Sequence, residues 1–457
     1  MTGSPVRVVR SDRDLTKGSI IGNLWTLSWP MTISSTIMML GPAVDMIWIG
    51  KLGPASIAGV GISAMVVMVI NSLMMGLFMG LRAMVARFVG AGDNQAANHV
   101  SQQAFVISIV FSIFMAVIGL FLAEPILMLL GVEADVVTEG AAYMRIQLIG
   151  MFTMSFGMVL QSIMQASGDA LTPMKISIGT RLFHVALCPF LIFGWWIFPQ
   201  LGVSGAALTN VITHGVGGVF AIWVLFSGRT RLRLTLKNYR FDGNAIWRMV
   251  KIGIPASVMG MQRSLSDFIL TWFIVPYGTA AVAAHSLITR VDTFVFMPAM
   301  GLGQAAGVLA GQNLGAGKPE RSARTTWLAA ALFTSFMIIG SLIMWFWAEP
   351  VVRIFNADPG LVEVAGKFLR IQIGSYLVYG VLMVLMNCLM GMGDTFIPML
   401  INVVTMWGMR VPLAHYLPQI TDLGVYGIRW AMVIDAVVGA VCFVLYFRLG
   451  RWKHKKI

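Results

Sequence analysis

Apolar residues come in runs of roughly twenty, separated by short polar turns, along almost the whole chain. A run of that length crosses a bilayer as an α-helix, whereas barrel strands would alternate apolar and polar positions over about ten residues. About twelve such runs can be marked, six in each half. The pattern predicts an all-α integral membrane protein.

The pattern also occurs twice. Set against the residue 225 positions later, Trp29-Pro30 meets Ile254-Pro255, Gly53 meets Gly278, and Gly90-Ala91-Gly92 meets Gly315-Ala316-Gly317. Ala123-Glu124-Pro125 meets Ala348-Glu349-Pro350, Arg145-Ile146-Gln147 meets Arg370-Ile371-Gln372, and Gly168-Asp169 with Pro173 meets Gly393-Asp394 with Pro398. Late in the copy the offset becomes 222, Leu201-Gly202-Val203 falling on Leu423-Gly424-Val425, so the length difference lies in a loop. Two six-helix lobes are expected: an N-lobe over residues 22–226 and a C-lobe over 252–447. A tail at 1–21, a linker at 227–251 and a basic tail at 448–457 complete the chain.

Composition fits the membrane reading. Hydrophobic residues make up 58% and charged residues 11%, with mean hydropathy +0.81, against roughly 25% charged in soluble domains. Lys and Arg outnumber Asp and Glu by 32 to 19. The excess gathers before the first span (Arg7, Arg10, Arg13, Lys17), in the linker (Arg229, Arg231, Arg233, Lys237, Arg240, Arg248, Lys251), after the eighth span (Lys318, Arg321, Arg324) and in the tail (Arg448, Arg451, Lys453, Lys455, Lys456). An even number of spans between these segments puts all four on one side, and the positive-inside rule makes that side the cytoplasm, with both termini there. The same count makes the lobes parallel repeats about an axis along the membrane normal. Anionic lipid then accounts for the basic balance, and no nucleic-acid partner is expected. No cleaved signal is expected either. Cys188, Cys388 and Cys442 lie unpaired in apolar spans, which points to neither disulfide nor metal.

The repeated pieces read as architecture. Gly-Ala-Gly at 90 and 315 ends a span as a cap and turn. Gly311-Gln312-Asn313-Leu314-Gly315-Ala316-Gly317-Lys318 lacks the Gly-Lys-Ser/Thr of a phosphate loop and follows no strand. Gly-Asp at 168 and 393 marks a short turn before a helix start, and Ala-Glu-Pro at 123 and 348 the opposite face. Taken together, the stretch Asp45 to Gly53, the Gly311 to Gly317 run and the echoed Gly-Asp…Pro turns resemble the multidrug and toxic compound extrusion (MATE) family, from about Asn23 to the last span. The resemblance implies twelve helices in two lobes and the export of organic, often cationic compounds in exchange for protons or sodium. It further implies a multi-pass protein of the bacterial inner membrane.

Where the copies differ, function can be sought. A polar residue in hydrocarbon is costly, so one whose counterpart is apolar serves something local. In the N-lobe, Asp45 falls on Leu270, Tyr143 on Phe368, Gln161 on Met386, Arg181 on Met406 and His184 on Met409. Asp45 follows Gly41-Pro42, where the proline frees a backbone carbonyl. Burial favours the neutral form of a carboxyl, which suits proton exchange. The family resemblance puts its N-lobe cation-binding Asp at this position and implies a surrounding set that here reads Tyr143, Gln161, His184, Cys188 and Asn210. Cys188-Pro189 stands where that set carries Asp-Pro. Losing a second carboxylate disfavours sodium, which wants several oxygen ligands, and His184 offers a second titrating group.

The C-lobe has its own unmatched charges. Arg263 falls on Met38, Asp267 on Pro42, Arg290 on Met65, Asp292 on Val67, Arg410 on Val185 and, at offset 222, Asp435 on Thr213. Arg263 and Asp267 stand four apart, the spacing of a direct helix pair. These charges read as a self-neutralised network or as a second coupling site. The acidic positions that the resemblance implies for sodium-type members are Arg263 and Gly380 here. Met38, Met39, Phe152 and Met158 are candidates to line an adaptable cavity. The expected activity is ion-coupled antiport of small organic cations or amphipathic compounds by a monomer among membrane lipids, with no cofactor beyond the proton or sodium gradient. A flippase for a lipid-linked diphosphate is the alternative, kept by Arg181, Arg263, Arg290 and Arg410. No constellation for an embedded enzyme is present.

Overall fold

The computed structural model describes residues 14–38, 40–228, 230–235, 239–355 and 358–455. Met39, Arg229, Lys237 and Lys456, with the basic residues before 14, lie outside them. The first half folds as α1 (Ile20–Met38), α2 (Leu40–Ile49), α3 (Pro54–Ala91), α4 (Asn94–Phe121), α5 (Ala123–Leu129), α6 (Ala134–Ile149), α7 (Met151–Ser167), α8 (Leu171–Phe193) and α9 (Gly202–Phe226). The second folds as α10 (Gly243–Ile274), α11 (Thr279–Gly315), α12 (Pro319–Phe346), α13 (Ala348–Phe355), α14 (Pro359–Gly391), α15 (Phe396–Thr405), α16 (Val411–Ile420) and α17 (Val425–Leu449). A π-helical turn, Met406–Arg410, joins α15 to α16. No strand occurs among the described residues.

Among the described residues nine helical stretches are long and apolar enough to cross a membrane, and two bent pairs, α6 with α7 and the two arms of α11, raise the number to eleven. The twelfth is α10. It is 32 residues long, but Arg248, Lys251, Arg263 and Asp267 dilute its apolar character. The linker is shorter than the charge pattern suggests, because Asp242 caps α10 by accepting from Asn244 N and Ala245 N, and the helix begins at Gly243.

The repeat reappears in space as paired contacts. At the ends of α3 and α11 the backbones cross so closely that a Cβ on Gly90 would lie 2.0 Å from the Gln312 carbonyl oxygen, and one on Gly315 would lie 2.0 Å from that of Arg87. Since 90 + 225 = 315 and 87 + 225 = 312, these are one contact seen twice across the pseudo-twofold axis. The repeated glycines therefore do more than cap: they hold the crossing, while Gly92 and Gly317 take the left-handed turns that follow. Further along, Gly76 packs on Ser257 and Gly301 on Thr32, again related by 225. At the far face, Arg145 meets Glu124 at 3.9 Å and Arg370 meets Glu349 at 3.1 Å, the same pair in both copies.

The lobes exchange helix ends. Leu24, Leu27 and Met31 of α1, with Leu15 before it, are buried in the core of the second half, and Met249 and Ile252 of α10 in that of the first. The chain ends are fastened across the same region. Lys318 donates to the Thr16 carbonyl at 3.0 Å, Arg321 to that of Gly18 at 2.8 Å, and Arg87 to that of Lys455 at 2.6 Å. All these lobe-to-lobe contacts lie in the halves of the spans next to the basic segments.

Candidate functional site

Asp45 sits on α2 and is 3% exposed. Three side chains from two other helices reach its carboxylate. Asn210 Nδ2, on α9, donates to Oδ2 at 2.9 Å, and Cys188 Sγ, on α8, donates to Oδ1 at 3.4 Å. His184, one turn before Cys188 on α8, places Nε2 3.3 Å from Oδ1 at an ion-pair distance, without hydrogen-bond alignment. Spacing explains the convergence of the two α8 residues, since residues four apart on a helix share a face.

The other expected residues stand farther out. Tyr143 is buried on α6 and accepts a hydrogen bond from Gln147 at 3.0 Å, its ring within electrostatic reach of Asp45. Arg181 lays its guanidinium on Gly41, so close that a Cβ there would fall 1.8 Å from Nη1. Its charge acts on Asp45. Gln161 is half-buried on α7 and is not among the groups that bond Asp45. His214 of α9 was not singled out by the comparison of the copies, yet it lies in the field of Arg181 and His184. At offset 222 its counterpart is Ala436, so the same asymmetry marks it.

In the C-lobe the charges separate into two groups. Asp292 of α11 accepts a hydrogen bond from the Tyr376 hydroxyl of α14. Arg263 does not form the expected ion pair with Asp267 among the described residues. It is exposed to an open space, with its guanidinium carbon 6.0 Å from the Phe296 ring, itself stacked on Tyr379 at 4.2 Å. The helix spacing allows the pair, but Tyr379 and the aromatic face draw the side chain toward α11 and α14. Asp267 and Asp292 act on it only through the field. Behind them Arg429 of α17, fully buried, bonds His285 Nδ1 at 2.7 Å and lies 4.8 Å from the Phe368 ring centroid. The second group is Arg410 and Asp435. The π turn delivers Arg410 to α17, with Nη2 2.6 Å and Nε 2.8 Å from Asp435 Oδ2. Arg290 is exposed and joins neither group.

Met38 and Phe152 are exposed, Met158 is partly buried, and Met39 lies outside the described residues. All three cysteines are free.

The MatE family model matches residues 30–190 and again 255–416. The two matches start 225 residues apart, the offset already seen in sequence and in the helix crossing. A probable multidrug resistance protein NorM of Thermotoga maritima is 25% identical over 436 residues, covering 94% of this chain and 93% of its own length. A multidrug resistance protein NorM of Burkholderia vietnamiensis is 28% identical over 431 residues, covering 93% and 92%. Among solved structures, a crystal structure of MATE in the bent conformation superposes with TM-score 0.90 at 23% identity, over 95% of this chain and 96% of that one. With both copies of the unit matched in one frame and one fold, this chain belongs to the MatE family, the multidrug and toxic compound extrusion transporters.

Proposed function

We propose that this protein exports organic cations and amphipathic compounds across the inner membrane in exchange for protons, with Asp45 as the exchanging group and both termini in the cytoplasm. The observation that carries this reading is the shell of Asp45. An amide N–H, a thiol and an imidazole surround a buried carboxylate. These are donors or soft groups, suited to a proton and poor as the shell of hard oxygens that sodium takes. Ionised, Asp45 offers a counter-charge to a cationic substrate. Once Asp45 is protonated, Arg181 leaves the pocket positive, and the cation is released to the outside. Each ligand thus disfavours the state the other requires. Lobe-to-lobe contacts gathered on the basic side support a state closed toward the cytoplasm, the arrangement for release. The relatives' names as multidrug resistance proteins support drug efflux over the flippase reading.

Dye uptake into inside-out vesicles tests this. An imposed pH gradient should drive it in the wild type and not in Asp45→Asn, while a sodium gradient drives neither. Affinity for a permanently charged dye should fall as pH is lowered, because protonation removes the counter-charge. An Asp45→Asn protein that transports like the wild type would overturn the assignment.

A further inference from the structure

The C-lobe contains a cavity of about 280 Å³ between α11, α12 and α14. Phe294, Phe336, Met337, Gly340, Ser341 and Tyr376 line it. Phe294 and Phe336 at its edge are exposed, as are Ile339 and Ile343 on the same helix, so its mouth lies on the flank that meets lipid.

The N-lobe carries a larger side chain at the position matching Gly340. At offset 225, Met115 stands where α12 has Gly340, and Ala116 where it has Ser341 (340 − 115 = 341 − 116 = 225). Met115 is buried in the N-lobe core, whereas a Cβ on Gly340 would meet nothing within 4 Å. The open space beside Gly340 thus has a side chain at the matching position of the N-lobe. Ser341 is 2% exposed, and its Oγ has no hydrogen-bond partner. A hydroxyl left unpaired in apolar surroundings is costly, so an occupant carrying an acceptor is favoured there. Depth narrows its chemistry. With 28 residues, α12 is about 42 Å long, the thickness of a bilayer with its interfaces. Ser341 lies one to two turns from its end, at the boundary where hydrocarbon gives way to the ester groups of phospholipid.

We propose that this cavity is a phospholipid site, holding one acyl chain with a lipid ester oxygen accepting from Ser341 Oγ. A compound carried between the lobes would not pass here, since this cavity lies within the C-lobe with the exposed Phe294 and Phe336 at its edge. Its floor is Tyr376, whose hydroxyl donates to Asp292. A bound chain therefore bears on the C-lobe charge cluster.

The test uses the full-length protein in phosphatidylethanolamine and phosphatidylglycerol vesicles doped with a phospholipid carrying a diazirine near its acyl terminus. After irradiation, adducts should concentrate on Phe336 and Met337 relative to Ile113 and Phe114, which are exposed on α4. Gly340→Met, which copies the N-lobe side chain, should reduce the α12 adducts about tenfold and leave the α4 adducts unchanged. Ser341→Ala keeps the space and should reduce them less, which guards against a Gly340→Met protein that fails to fold. Equal labelling of α12 and α4, or labelling that neither variant alters, would mean ordinary annular lipid and overturn the proposal. Displacement of the label by a transported dye would assign the cavity to substrate and overturn it as well.

Discussion

Cys188 donates its thiol to Asp45 Oδ1 from the position where the family set carries a carboxylate. Restoring the acid with Cys188→Asp puts two carboxyls on one site with Asn210 at its edge. Dye efflux should then respond to an imposed sodium gradient where the wild type does not, as vesicle uptake with and without sodium would show. An unresponsive variant would mean that Arg181 keeps the pocket too positive for a metal cation. At this scale two signals were informative: Asp45 and His184, where the copies disagree, and Asn210, which the family resemblance implies, lie together in the structure. Gln161 does not, because a residue's face on a bent helix pair such as α6 and α7 depends on a 45° angle that spacing does not encode. Tyr376, His285, Arg429 and His214 all have apolar counterparts, Met151, Val60, Ala207 and Ala436. The rule that marked Asp45 marks them too, had it been applied to every span.

The helix crossing at Gly90 and Gly315 has no room for a methyl group. Gly315→Ala forces a Cβ against the Arg87 carbonyl and should cost about 1–3 kcal/mol, read as lower thermal stability in detergent. The mirrored Gly90→Ala should cost a similar amount, since both meet the same contact. Arg410 and Asp435 make the opposite case, an attractive pair held largely out of solvent. Asp435→Asn leaves a guanidinium without its counter-charge and should destabilise by about 3–5 kcal/mol, whereas replacing both residues by apolar ones should recover most of that. Denaturant unfolding of the single and double variants checks it. Helix number and order could be read from the apolar runs. The π turn at Met406–Arg410 could not. An added residue per turn rotates Arg410 relative to a regular helix, and a 3.6-residue period carries no trace of it.

For the whole molecule, the positive-inside rule applied to the basic segments predicts cytoplasmic termini. A reporter fused after Ile457 should be active in the cytoplasm only; activity on the outer side would undo the positive-inside argument. The two-lobed plan and its offset of 225 were legible because equal helices need equal lengths to span one bilayer. The exchange of helix ends was not, because Leu24 and Met249 are equally apolar whichever core they enter. That exchange bears on where such a chain comes from. A half expressed alone would expose the apolar ledge that Leu24, Leu27 and Met31 of α1 fill, or the one that Met249 and Ile252 of α10 fill. It can satisfy itself only by trading its first helix with a second half, as domain-swapped dimers do. A single-unit ancestor would then have been an obligate swapped pair before the gene was doubled, and fusion would have sealed an embrace that already existed.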